Sequence, residues 1–238
     1  MRLLLIDTCG VTGSVALADT ALDPPITATA SLPGRAASER LVATIRDLIA
    51  KAGSNLQSLD AIAVVSGPGS FTGVRVGLSA AKGLCDALSL PLIAISRLAL
   101  LAHSADPAAR TAVFALLDAG RGELYLGIYE DGLPTKETLV TRSELIEAHT
   151  SIAKRDGNPP ILITCEAAVA EAFAGISPLL IPEPTAQDAF PLVLRRLEAH
   201  DFADVASIDA NYLRRTDAEI FARRAVSDSS HLKDSPVP

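Results

Sequence analysis

The chain has 238 residues, 49% of them hydrophobic, with 21 basic and 28 acidic side chains and a formal net charge of −7. That length allows one large domain or two small ones and supplies enough apolar side chains for a sizeable core, which rests on Leu, Val, Ile and Ala because Trp is absent and aromatics make up 4%. The acidic balance argues against stand-alone nucleic-acid binding, which depends on neutralising phosphates, and no stretch approaches the roughly 20 apolar residues of a membrane span.

Leu3 to Ile6 is a continuous apolar run, the pattern of a strand covered on both faces. Asp7-Thr8-Cys9-Gly10 has turn chemistry, and Ser14 to Ala18 is the returning strand of an early hairpin. Ile26 to Leu32, after Asp23-Pro24-Pro25, is a third strand. Ser38 opens a helix with Leu41, Ile45, Leu48 and Ala52 on one face and Val42 and Ile49 beside it. The apolar run Ala61 to Val65, closed by Ser66-Gly67-Pro68-Gly69, reads as a buried strand. Ser70 suits an N-cap for a helix from Phe71 to Leu88. Leu92 to Ile95 is a short strand, and Ser96 caps a helix through His103.

Near Ala105 to Ala109 the chain starts again. Val113 to Asp118 repeats the apolar run that ends in Asp7, Ala119-Gly120-Arg121-Gly122 is again a turn, and Leu124 to Tyr129 is again a returning strand. This weak repeat, with a period longer than those of solenoids, implies two similar halves that each open with a β-hairpin. A helix from Ser143, a strand over Ile161 to Thr164 and a short helix near Ala167 to Ala174 follow. Thr185 to His200 is helical but interrupted by Pro191. The divisions expected are residues 1–104, residues 105–216, and a polar, partly disordered tail over residues 217–238.

Within the helix from Phe71, the residues Gly73, Gly77 and Ala81 recur every four positions and share one face, with Ala80 and Leu84 beside it. Interior glycines each cost about 1 kcal/mol relative to Ala, so such a stripe needs an offsetting contact. It presses either on the chain's own sheet or on the helix of a partner chain.

Candidate chemistry is sparse. The loop at Gly67 departs from both the dinucleotide fingerprint and the P-loop, because Thr72 stands where the fingerprint wants Gly and no Gly-Lys-Ser/Thr follows. Asp7 and Asp118 end matching strands, which is how actin-like ATPases and sugar kinases place carboxylates around phosphates and metal. The alternative is that each makes a turn hydrogen bond, and the chain has no Gly-Gly dipeptide for an adenosine loop. His103, His149, His200 and His231 are too scattered for a zinc pair. The isolated Cys9, Cys85 and Cys165 lack ligand spacing and imply a reducing compartment. Met1-Arg2 precedes an apolar run that meets Asp7 too soon for a signal peptide. The pairs Arg195-Arg196, Arg214-Arg215 and Arg223-Arg224 are diluted by nearby carboxylates and read as solvated surface rather than a contact with nucleic-acid phosphates.

The run Ser66-Gly-Pro-Gly-Ser-Phe-Thr-Gly-Val-Arg-Val-Gly77 resembles the signature of the TsaB (YeaZ) family. The similarity extends to Leu5-Ile6-Asp7-Thr8, to Leu117-Asp118-Ala119 with Glu123-Leu124-Tyr125, and to Tyr212-Leu213-Arg214. The Ser38-Glu39-Arg40-Leu41 segment resembles the family's helix start, although Ala37 stands where the family often has His.

The resemblance implies an actin-like (ASKHA) α/β fold of two ribonuclease-H-like halves, the second reduced. It also implies a cytoplasmic, non-catalytic scaffold subunit without a cofactor or metal. Such a subunit binds TsaD, which transfers threonylcarbamoyl to N6 of adenosine 37 in tRNAs reading ANN codons. TsaE, an ATPase, is the implied further partner; tRNA is met only through the complex, and a homodimer is possible when the chain is alone. On this reading Leu41, Ile45, Gly73, Val74, Gly77, Ala80, Ala81 and Leu84 bind the partner, while Asp7, Thr8 and Asp118 mark a vestigial nucleotide cleft. The alternative from another class is a small actin-like ATPase or carbohydrate kinase.

Overall fold

The computed structural model describes residues 1–32, 37–105, 112–130, 133–211 and 213. Tyr212, Arg214, Arg215, the pair Arg223-Arg224, His231 and the tail lie outside the described residues.

The first sheet contains β1 (Arg2–Asp7), β2 (Gly13–Asp19), β3 (Ile26–Leu32), β4 (Ala61–Val65) and β5 (Leu92–Ile95), in the order β3-β2-β1-β4-β5. The first three strands form antiparallel hairpins, whereas β4 and β5 add in parallel through the helices α1 (Ala37–Lys51) and α2 (Phe71–Leu88). The second sheet contains β6 (Val113–Gly120), β7 (Glu123–Glu130), β8 (Leu133–Thr141), β9 (Ile161–Thr164) and β10 (Leu179–Leu180). Its order, β8-β7-β6-β9-β10, and its pairing directions repeat those of the first. Two copies of one five-stranded plan make this an actin-like fold of two ribonuclease-H-like halves, with the second ending in a strand of only two residues.

β1 and β4 lie at the centre of their sheet, and after Arg2 every residue of both is buried, as their unbroken apolar runs require. The helix α3 (Arg97–Ala105) leaves the first half and lays Leu98, Leu101 and Ala102 against Val113, Ala115 and Ile163 of the second sheet. The opposite face of that sheet is covered by α4 (Arg142–Asp156) and α5 (Ala167–Ala172), whose Leu145 and Val169 join Phe114 and Leu116 in a separate core. The chain then returns. Ala186, Ala189, Val193, Leu197 and Ala210 are buried among side chains of the first half, so residues 186–210 follow the second half in sequence but pack with the first. The helix α6 (Phe190–Glu198) carries Pro191 in its first turn rather than being interrupted there, because the first helical turn is where proline's missing N–H goes unmissed.

Two strands escape the sequence pattern. β8 is an edge strand whose outer half, Leu133 to Lys136, is exposed and includes a proline, and β10 is too short to show an alternation.

The glycine stripe of α2 presses on the chain's own first strand, which corrects its assignment as a partner seam. A Cβ on Gly73 would overlap the Thr8 carbonyl oxygen, and one on Gly77 would overlap the Thr8 hydroxyl and touch Ile6. The Thr8 hydroxyl donates to the Gly73 carbonyl at 2.6 Å. Leu41, Ile45, Val74 and Ala81 are likewise buried at 3% exposure or less within this chain, and Ala80 and Leu84 are half-buried against the same core. The faces of these helices that meet solvent carry other residues. Val42, placed beside the buried face of α1 by sequence, is 69% exposed, and Phe71 at the start of α2 is 53% exposed. Ala52 is exposed just beyond α1.

Gly77→Leu is therefore expected to destabilise the isolated protein. Overpacking costs about 1–3 kcal/mol, and at about 2–4 °C per kcal/mol for a chain of this size the melting temperature should fall by roughly 2–12 °C. A circular dichroism melt unchanged from wild type would return the stripe to the surface.

Candidate functional site

Both hairpin turns face one cleft of about 830 Å³. Thr8 to Val11 line it from β1–β2, Leu117 to Gly120 line it from β6–β7, and Ser70 and Thr72 line it from the start of α2. Arg97, Cys165, Glu166 and Glu183 complete the wall.

The signature loop is fastened to the β1 end. The Ser70 N–H donates to the Cys9 carbonyl at 2.8 Å, and the Gly73 N–H donates to the Ser70 hydroxyl as the N-cap bond. A Cβ on Gly69 would lie 2.5 Å from the Cys9 carbonyl oxygen. Gly67 has a φ of +99°, a region that side-chain-bearing residues rarely adopt, and its carbonyl accepts the Arg97 N–H at 2.7 Å.

Of the three residues assigned to a vestigial nucleotide cleft, Thr8 and Asp118 line it and Asp7 does not. Asp7 is 3% exposed, and its Oδ1 accepts the Cys9 N–H at 2.8 Å. Asp118 is exposed, and its Oδ1 accepts the Gly120 N–H, also at 2.8 Å. Each carboxylate thus closes its own turn by the same two-residue hydrogen bond.

Arg97 and Glu183 were not singled out in the sequence, and they dominate the electrostatics. Arg97 Nη2 donates to Glu183 Oε1 at 2.7 Å, with side-chain exposures of 6% and 30%. The same carboxylate oxygen accepts the Val11 N–H at 3.1 Å. Burial opposes the charge of Arg97, but the surrounding groups, Asp7 foremost, raise its pKa above that of an ordinary arginine. Burial pushes the Asp7 carboxyl above the ordinary 3.8, with the Arg97 charge pulling the other way. Burial also raises Glu166, whose Oε2 accepts the Asp118 N–H at 2.6 Å. Cys9, with its thiol donating to the Val65 carbonyl at 3.1 Å, is pushed well above 9.0, and Cys165 is pushed to about 11. Neither is therefore a thiolate nucleophile at neutral pH. One signal in the sequence pointed to Glu183. It is a lone carboxylate between Pro182 and Pro184, where the backbone has little freedom.

His103 sits in the last turn of α3 with its pKa lowered by burial, and His149 meets the Phe114 ring edge-on at 6.4 Å between centroids. His200 is exposed just past α6. Among the described residues no group of three or more His, Cys, Asp or Glu is placed to hold a metal ion. Arg195 is exposed and Arg196 pairs with Asp201 at 3.5 Å.

The raised pKa of Asp7 sets a sign for pH dependence. A carboxyl whose folded pKa exceeds its unfolded one binds its proton more tightly when folded, so its contribution to stability falls as pH rises through that window. The melting temperature of wild type minus that of Asp7→Asn should therefore shrink as pH rises from about 4 to 7. A difference that widens would mean that Arg97 favours the ionised form by more than burial penalises it.

A family model described as TsaD, tRNA N6-adenosine threonylcarbamoyltransferase, matches residues 31–162, more than half of the chain. The tRNA threonylcarbamoyladenosine biosynthesis protein TsaB of Escherichia coli (strain K12) is 37% identical over 131 residues, which is 55% of this chain and 55% of that protein. The alignments thus span about half the length of the curated TsaB relatives. An uncharacterised protein of Mycobacterium bovis is 31% identical over 193 residues, 81% of this chain and 82% of that one. Among solved structures, YeaZ from Pseudomonas aeruginosa superposes with a TM-score of 0.69 at 26% identity, covering 89% of this chain and 99% of that chain. With the signature loop seated on β1 and the fold duplicated as described, the chain belongs to the TsaB (YeaZ) family.

Proposed function

We propose that this chain serves tRNA threonylcarbamoyladenosine biosynthesis as a non-catalytic subunit. It binds a TsaD-type threonylcarbamoyltransferase and supports transfer to N6 of adenosine 37 in tRNAs reading ANN codons. The observation that carries the non-catalytic reading is the commitment to the chain itself of the polar groups in the cleft and of the buried carboxylate behind it. Asp7 and Asp118 close their own turns, and Glu183 neutralises Arg97. A hydrolase or kinase would need such groups aimed at substrate. The names of the TsaB relatives support the pathway, and tRNA is met only through the complex. TsaE is a further partner, and the setting is cytoplasmic.

The partner surface is relocated to the outward faces of α1 and α2. Val42 on α1 and Phe71 on α2 are large exposed apolar side chains, and the Arg75 guanidinium stacks 3.6 Å from the Phe71 ring centroid. Arg75, Ser79 and Gly83 continue that exposed face at four-residue spacing. Gly83 is the small residue of α2 with open space at its Cβ position, and a close helix approach is a use for it.

Two experiments follow. Gly83→Leu should leave the melting temperature of the isolated protein the same or higher, since Leu is the better helix former. It should weaken TsaD binding by about ten- to a hundredfold, the equivalent of an overpacking cost at the seam. Normal TsaD affinity in that variant would remove α2 from the interface. Depletion of the protein should lower threonylcarbamoyladenosine in total tRNA, read by nucleoside chromatography, and an Asp7→Asn copy should restore it. Unchanged nucleoside levels in the depleted cells would remove the pathway assignment, and failure of the Asp7→Asn copy would count against a non-catalytic role.

A further inference from the structure

Glu183 belongs to a segment held at both ends. On one side the Ile181 N–H donates to the Thr164 carbonyl at the end of β9, at 2.9 Å. On the other the Ala186 N–H donates to the buried Ser14 hydroxyl of β2, at 2.8 Å. The segment therefore crosses from the second sheet to the first, and its backbone is fixed independently of the Glu183 side chain. That side chain brings Oε1 to two donors at once, the Arg97 guanidinium at 2.7 Å and the Val11 N–H at 3.1 Å. Gly10 is the third wall. A Cβ there would overlap the Glu183 carboxylate and come within 2.9 Å of Arg97 Nη2.

A nearly buried guanidinium, a backbone N–H and a glycine that leaves room for one carboxylate form a small anion pocket. The geometry points to a self-liganded site: Glu183 is the built-in occupant of a carboxylate pocket in the cleft, and removing it opens that pocket to a free small carboxylate. The charge count favours a singly charged carboxylate over phosphate. Asp7 and Glu166 already lie near this cation, so an occupant that carries more charge than Glu183 is repelled. A flexible tether would supply an effective concentration of only about millimolar, but the Glu183 backbone is anchored at both ends, which lifts that concentration above several tenths molar. Free carboxylates compete poorly until the latch is released.

The test is rescue by acetate, with thermal melts in sodium acetate and sodium chloride at equal ionic strength. Glu183→Ala should melt roughly 3–8 °C below wild type in chloride. It should regain about 1–2 °C in acetate at several tenths molar, as expected for a ligand near its dissociation constant. Wild type should melt alike in the two salts. Gly10→Ala, whose methyl takes the place of the carboxylate oxygen, should lose stability without acetate rescue. Because both substitutions break the same contact, the double variant should lose clearly less than the two single losses together. Glu183→Gln, which keeps the volume, replaces Glu183→Ala in the cycle if the latter fails to fold, and non-additivity is again required. Equal melts of Glu183→Ala in the two salts, an equal acetate gain in wild type, or additive losses in the cycle would each overturn the assignment.

Discussion

The structure depends on a contact between backbones. Thr8-Cys9, just past β1, and the stretch from Gly69 through Gly77 that leads into and begins α2 approach so closely that side chains at Gly69, Gly73 and Gly77 would overlap Thr8 or Cys9. Water is excluded from such a contact, so its polar groups must pair with one another. They do. Thr8 donates to Gly73, Ser70 donates to Cys9, and the Cys9 thiol donates to Val65. The helix-propensity penalty of the glycines is offset by dispersion and hydrogen bonding that a bulkier helix could not reach. The long signature is thus first a packing specification and only second a surface.

That specification sets the geometry of the cleft. Once α2 is locked on β1, the loop at Gly67 is fixed, and its carbonyl holds the first turn of α3 through the Arg97 N–H. The helix α3 is also the element that packs on the second sheet, through Leu98, Leu101 and Ala102. The Gly127 backbone sits against the Leu98 side chain there, where a Cβ would come within 2.9 Å. One chain of contacts therefore runs from the signature to the relative placement of the two hairpins, with Arg97 at its middle. A second tie runs behind it. Glu137 of β8 accepts the Tyr129 hydroxyl and the Asn211 side-chain amide, while the Asn211 N–H donates to the Ser66 carbonyl at the end of β4.

Much of the fold was legible because apolar periodicity reports burial. The central strands, α2 with its Ser70 cap, and the duplicated strand-turn-strand all follow from it. The elements that escaped are those where periodicity carries no information. Leu133 to Lys136 at the outer edge of β8 face solvent, β10 has only two residues, and Pro191 can end one helix or begin another. The stripe of Gly73, Gly77 and Ala81 was found correctly as a smooth face, but sequence spacing cannot say which backbone lies against it. The same limit hid the site. Arg97 and Glu183 are 86 residues apart, and nothing local in either stretch announces the partner. Pairing across the cleft is a property of the duplicated fold, not of any window of the chain.

The duplication also explains why the two halves of the cleft are chemically unequal. Both turns close by the same carboxylate hydrogen bond, yet Asp7 is buried and Asp118 is exposed. The difference lies in what crosses each turn. The first is covered by the signature loop and by the returning segment at Glu183, which bring Arg97 and a compensating charge with them. The second is bordered by Glu166, whose carboxylate is spent on the Asp118 N–H. A buried ion pair such as Arg97–Glu183 gives little net stability over an apolar pair of the same size, but it penalises any arrangement in which one partner is left alone. In this chain the penalised arrangement is one in which the Glu183 segment leaves Arg97, so the pair favours a single placement of that segment against the first hairpin turn.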